Sequence, residues 1–223
     1  MDIKVTKDKY TIDGIPHDRV TAVLDYFMTP GLLAWRDKVG LEEAKKQGKV
    51  AKAIGTRVHG LIKKHWESGN IALTKNDGVS VVNCMKAYQR WREAEGLTIA
   101  NMEKMIYNSQ LGLAGTLDMI LDDDTIVDIK TSSSIRPDYW LQVHMYAVMA
   151  LKLEEPGIVP IRVAILRLDK MTGDYEYRVM LFDIGLVEIY RGLLNYYRFL
   201  TKKEGGNGKG DIADREIFGG LEI

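Results

Sequence analysis

The chain of 223 residues has one cysteine, five prolines and no formal net charge, and each scarcity excludes something. Cys84 alone cannot build a disulfide framework, a multi-cysteine zinc site or a cysteine-ligated iron–sulfur cluster. A lone cysteine also suits a reducing, cytosol-like compartment. No apolar run reaches the roughly 18 residues of a spanning helix, so no membrane partner is expected. The opening MDIKVTKDKYTIDG has no apolar core segment and is neither Arg-rich nor poor in acids, which argues against a signal or transit peptide. No Gly-x-x-x-x-Gly-Lys-Ser/Thr phosphate loop occurs, so no nucleotide-driven motor is expected. Taken as a sum, 31 basic against 31 acidic residues argue against a polyanionic partner. A sum, however, says nothing about distribution.

What is present is an ordinary globular composition, 46% hydrophobic and 28% charged, in a length that allows one large domain or two small ones. Residues 1–13 alternate loosely around Lys7-Asp8-Lys9 and read as a short ribbon. Helical patterns follow at 19–28, 31–38, 41–68 (with breaks conceivable at Gly48 or Gly55) and 77–95. Strand patterns at 102–108, 112–121 and 125–130 precede a helix at 137–153, strands at 159–168 and 174–181, and a last helix at 184–203. The reading is a single domain over 1–203, with a helical part at 14–96 and a β-β-β-α-β-β-α core at 97–203. A Gly-rich tail at 204–223 is expected to be flexible.

The stretch GTLDMILDDDTIVDIKTSSS, residues 115–134, is the most informative. Asp122, Asp123 and Asp124 make a three-residue hairpin loop between two apolar strands. Pairing outward from it sets Leu121 against Thr125, Ile120 against Ile126, Met119 against Val127 and Asp118 against Asp128. Strand alternation puts Lys130 on the face of Asp128. Two carboxylates directly opposite are destabilising without a counter-ion. A divalent cation resolves the conflict, and Asp oxygens are hard ligands suited to Mg²⁺ or Mn²⁺. The bland alternative is an exposed sheet face, since the Asp/Glu-x-Lys pattern also occurs at Asp2-Lys4 and Glu43-Lys45.

Other residues stay open between two readings. His59 shares a helical stripe with Ile62 and Trp66 and is either structural or a ligand. Gln142 and Tyr146 share a helix face just after the hairpin. Glu103, in the preceding strand, belongs to the site or is an edge charge. Charge is uneven: residues 36–65 hold nine Lys/Arg and three acids, a net of +6, while 118–128 hold five Asp and no base, a net of −5. Lys45, Lys49 and Lys52 lie along one stripe of that basic stretch, which also contains Arg57. A basic helix beside an acidic pocket is the arrangement a phosphodiester hydrolase needs, unless the charges are merely a solvated face.

The order Gly55-Thr56…His59, Gly115…Asp118, Asp128-Ile129-Lys130-Thr131 and Gln142…Tyr146 resembles the RecB-type branch of the PD-(D/E)xK nucleases. Residues 13–35 are similar to the region before the His motif in phage exonucleases of this branch, and the chain also resembles the mitochondrial genome maintenance exonuclease. The resemblance spans roughly residues 10–180. It implies an α/β, restriction-endonuclease-like fold in which a mixed central sheet is flanked by helices. It implies a metal, one or two Mg²⁺ or Mn²⁺ ions, held by His59, Asp118, Asp128 and the Ile129 carbonyl, with Asp118, Asp128 and Lys130 catalytic. By the same resemblance Lys130 orients or helps deprotonate the attacking water, while Gln142 and Tyr146 shape the site and touch the strand. Thr131 is a further candidate contact, and from the charge distribution Arg57, Lys45, Lys49 and Lys52 are candidate backbone contacts. The iron–sulfur members need four cysteines, and only Cys84 is present.

The expectation is therefore a cytoplasmic, metal-dependent DNA exonuclease of a bacterial or phage-infected cell, working in recombination, repair or replication. Its partners would be single-stranded DNA or duplex ends, and a recombination or single-strand-binding protein. A structure-specific endonuclease and a non-catalytic nucleic-acid-binding module of the same fold are the alternatives.

Overall fold

A computed structural model describes residues 1–27, 29–151 and 162–204. Among these, eight strands make one mixed sheet. They are β1 (Ile3–Val5), β2 (Lys9–Ile12), β3 (Ile15–Arg19), β4 (Ile99–Asn108), β5 (Leu113–Leu121), β6 (Ile126–Lys130), β7 (Arg162–Leu168) and β8 (Tyr175–Leu181). The order is β1-β2-β3-β5-β6-β7-β8, with β4 paired to β5 as well. The β3–β5 and β6–β7 pairings are parallel and the others antiparallel. The helices are α1 (Val20–Tyr26), α2 (Pro30–Val39), α3 (Leu41–Ser68), α4 (Val79–Glu95), α5 (Pro137–Leu151) and α6 (Ile184–Glu204). No helix among the described residues is long and apolar enough to cross a membrane.

Alternation along β6 and β7 assigns a core to each face of the sheet. Ile126, Val163 and Ile165 pack with Val20 and Val23 of α1, Val143 of α5 and Tyr190 of α6. Val127, Ile129, Ala164 and Leu166 pack on the other face with Val58, Leu61 and Ile62 of α3 and Met85, Tyr88 and Trp91 of α4. Val81, Met85, Tyr88 and Trp91 are buried on one side of α4, and Gly96 ends that helix at φ 61, a left-handed cap open to glycine without strain. α3 runs unbroken through Gly48 and Gly55 for 28 residues. Interior glycines cost about 1 kcal/mol each relative to alanine, less than the burial of Val58, Leu61 and Ile62 contributes at about 1.5–3 kcal/mol per side chain.

The N-terminal ribbon differs from expectation. It continues into β3, which joins the main sheet through Asp18 and Arg19 beside Leu113 and Ala114. Tyr10 and Ile12 bury against Ala114, and Asp18 is held by Arg198 of α6 at 2.7 Å. Residues 15–19 are therefore strand within the part expected to be helical, 14–96; Pro16, His17 and Asp18 give no apolar alternation to announce it. The part of the expected strand at 159–161 and the expected tail beyond Glu204 lie outside the described residues.

β5 carries the feature that positions the site. One of its edges is covered by β4. The other is shared: Leu113 and Ala114 pair with β3, whereas Met119 and Ile120 pair with Val127 and Ile126 of β6. Among the described pairings residues 115–118 have no partner there, and a notch opens between β3 and β6. Alternation also slips at this level. Leu117 faces the α5 side and Met119 the α3 side, although they are two residues apart; Ile106 and Met102 on β4 do the same four residues apart. The slip falls at Asp118 and at Glu103, whose φ of 53 is uncommon for a non-glycine residue.

Leu61→Ala is expected to lower stability by about 2–5 kcal/mol, because it empties space under the half of α3 that carries His59. Denaturant unfolding checks this; a loss below 1 kcal/mol would mean that α3 is not anchored there.

Candidate active site

Burial of Val58, Leu61 and Ile62 fixes the face that α3 turns to the sheet, and His59 is carried on its flank. The slip in β4 and β5 brings Glu103 and Asp118 toward the same helix. His59 Nδ1 lies 3.3 Å from Asp118 Oδ1 and 3.6 Å from Glu103 Oε1. Its Nε2 lies 3.2 Å from the Ile129 carbonyl oxygen. With acceptors on both nitrogens the ring is an imidazolium. Burial opposes that charge, but Asp118 and Glu103 outweigh it and hold the His59 pKa up at about 10. Burial likewise disfavours the Asp118 carboxylate, yet His59, Lys130 and the Ile129 N–H together hold its pKa below the usual value.

One ligand atom from each of His59, Glu103 and Asp118 lies within 4.8 Å of the others. An imidazole nitrogen and two carboxylate oxygens fit a divalent cation, which would displace the proton from Nδ1. The Ile129 carbonyl accepts from the other nitrogen, the orienting contact that ligating histidines commonly make.

The hairpin register agrees with expectation at Met119/Val127 and Ile120/Ile126. The expected step from there to Asp118 facing Asp128 is not made, because β5 and β6 diverge. Asp118 instead turns its Oδ2 to accept from Ile129 N at 2.7 Å, filling in for a lost ladder bond. Asp128 therefore lies outside the His59–Glu103–Asp118 donor group. It faces α5, with a side chain only 1% exposed.

On that side Lys130 Nζ sits 2.8 Å from Asp128 Oδ2 and donates to Gln142 Oε1 at 2.9 Å. Gln142 Nε2 donates to Asp128 Oδ1 at 2.9 Å and to the Tyr146 hydroxyl at 3.2 Å. The amide of Gln142 can serve a cation and a carboxylate together only in this orientation. Burial, with Asp118 adding to it, pushes the Asp128 pKa up to about 6 against the pull of Lys130. Lys130 stays an ammonium, since its two carboxylate neighbours outweigh its burial.

Gly115 explains the glycine of the Gly-x-x-Asp pattern. A Cβ there would lie 2.7 Å from Tyr146 Cε1, so the ring rests on the bare face of β5 at Gly115. Together these residues line an open cleft of about 490 Å³. Thr131 lines it too, 3.5 Å from where a Gly55 Cβ would stand. Arg57 does not. It forks onto Asp77 at 2.6 and 2.8 Å beside a separate groove. Lys45, Lys49 and Lys52 are exposed on α3, Lys45 paired with Glu42 at 2.7 Å. Glu103 is the site residue least visible in sequence, because nothing in its neighbourhood announces a positive φ.

A sequence profile described as the PD-(D/E)XK nuclease superfamily matches residues 75–204. The chain belongs to this superfamily. The match takes in α4 to α6, with Asp118, Asp128, Lys130, Gln142 and Tyr146, and leaves His59 outside. A mixed sheet flanked by helices is the restriction-endonuclease-like fold of PD-(D/E)XK proteins. Among solved structures, an alkaline exonuclease from Laribacter hongkongensis is similar at 13% identity over 84% of this chain and 89% of that one, with a TM-score of 0.48. A phage-related exonuclease from Haemophilus somnus 129PT is similar at 13% identity over 66% of this chain and 82% of that one, with a TM-score of 0.38. No curated protein sequence matches the chain. Nothing in these matches supports the likeness to the mitochondrial exonuclease.

Gly115→Ala is expected to displace Tyr146 and with it Gln142, at a cost of about 1–3 kcal/mol for an overpacked site. A thermal midpoint equal to that of the parent protein would show that the ring is free to move.

Proposed function

We propose that this PD-(D/E)XK protein is a divalent-metal-dependent deoxyribonuclease, working as an exonuclease in recombination, repair or replication. One observation carries the reading: a half-buried ammonium, Lys130, pinned by Asp128 and Gln142, lines the same open cleft as the His59–Glu103–Asp118 donor group.

Each residue has a physical task in that reaction. His59, Glu103 and Asp118 would hold the cation, Mg²⁺ or Mn²⁺. When bound, the cation supplies charge neutralisation at the reacting phosphate and a more acidic water at neutral pH. Lys130 places a fixed positive charge where negative charge grows as the phosphodiester is attacked, and its remaining N–H orients the incoming water. Asp128 keeps that ammonium charged and pinned. Gln142 bridges the pair, and Tyr146 holds Gln142. Thr131, Gln142 and Tyr146 face the strand from the cleft, while Lys45, Lys49 and Lys52 extend a basic track along α3 for the backbone beyond it. Arg57, committed to Asp77, acts on that track only if the pair opens.

The deciding experiment is a time course on end-labelled single-stranded, duplex and circular DNA with Mg²⁺, Mn²⁺ or a chelator. Metal-dependent shortening from the ends is expected. Cutting of the circle would make the protein an endonuclease, and binding without cleavage would make it a non-catalytic module. Lys130→Ala is expected to lower turnover about 10²–10³-fold while DNA binding persists; wild-type turnover in that variant sinks the role given to Lys130. Neutralising Lys45, Lys49 and Lys52 together should reduce the slope of log affinity against log salt by about 2–3. An unchanged slope would move the DNA path off α3.

A further inference from the structure

α5 offers the cleft a third side chain besides Gln142 and Tyr146. Tyr139 stands three residues before Gln142, on the same helical stripe, and lines the cleft at 6% exposure. Its ring centroid lies 4.8 Å from Lys130 Nζ. The Arg136 Cζ lies 4.5 Å from the same centroid. Arg136 is itself forked onto Asp138, at 3.0 Å from Nε and 2.6 Å from the terminal nitrogen. Its position is thus set by a partner other than the ring.

Lysine is a point charge on a flexible four-carbon stem, and two contacts do not fix such a group. Asp128 and Gln142 take two sides of the Lys130 ammonium. An aromatic face attracts a cation without consuming an N–H donor. We infer that Tyr139 is a positioning residue for Lys130: its ring closes the third side of a box formed with Asp128 and Gln142, leaving the ammonium open only toward the cleft. The inference rests on the reaction role given to Lys130 above. It differs from core packing in one respect. An aliphatic side chain of similar bulk would fill the space but would not hold the cation. Small misplacement of a reacting group is costly in rate and not in binding, so the effect belongs in kcat.

Two variants and one spectroscopic measurement test this. Tyr139→Phe keeps the ring and is expected to retain kcat within about twofold. Tyr139→Leu is expected to lower kcat roughly tenfold, with KM and DNA binding unchanged. In the metal-free protein, the Lys130 Hε protons should be shifted upfield by the ring in the wild type and in Tyr139→Phe, and should lose that shift in Tyr139→Leu. Full kcat in Tyr139→Leu, an equal loss in both variants, or unshifted Lys130 protons in the wild type would each overturn the positioning role. Should Tyr139→Leu not fold, the wild-type and Tyr139→Phe spectra still decide. If the wild type itself cleaves no DNA, the nuclease reading fails, while the ring shift independently reports whether Tyr139 holds Lys130.

Discussion

Two carboxylates, half-buried Asp118 and buried Asp128, each paired with a cation, are the constraint around which this structure is organised. Asp118 is answered by His59 from α3, and Asp128 by Lys130 from its own strand. Leaving one such charge buried and unpaired costs several kcal/mol, so neither pair tolerates loss of its partner. The sheet keeps the pairs apart. Alternation sends Asp128 and Lys130 toward α5, while the slip at Glu103 and Asp118 sends those residues toward α3. They meet only because β5 and β6 part company after two paired residues.

The parting of the strands would be expensive if the freed backbone groups went unanswered. Asp118 answers one directly, taking the Ile129 N–H. His59 answers the next, giving its Nε2 proton to the Ile129 carbonyl. The two peptide units between Asp128 and Lys130 are thus held by Asp118 and His59. The aromatic ring of Tyr146 then fills the bare stretch of β5 at Gly115. Local strain, polar satisfaction and site geometry are solved by the same few residues.

Much of this was legible in the sequence, for physical reasons that differ by residue. The hairpin register followed from a loop of three aspartates between apolar strands, and it fixed Asp118 and Asp128 as near neighbours. Gln142 and Tyr146 were legible because helical spacing of four is unambiguous. Divergence of β5 from β6 was not, since periodicity describes a strand and not where its partner leaves it. For that reason the direct opposition of the two aspartates did not materialise. Glu103 was left open between a site residue and an edge charge because its placement depends on one backbone angle. β3 was obscured by polar residues that have long-range partners, Arg198 for Asp18 and Ser109 for His17. Arg57 shows the reverse, a residue that fits a basic stripe in sequence but is claimed by Asp77 in space.

The joining of β3 to β5 bears on when the cleft can exist at all. Asp18 meets Arg198 across 180 positions of sequence, and the Tyr190 hydroxyl reaches the Val20 carbonyl across 170. Val20, which walls the cleft, is made long before its partner Tyr190 on α6. Contacts of such separation form late because the intervening loop must close before they give any return. The Val20 part of the cleft wall is therefore held only once α6 is available, so a chain that lacks α6 carries the residues of the site without this support.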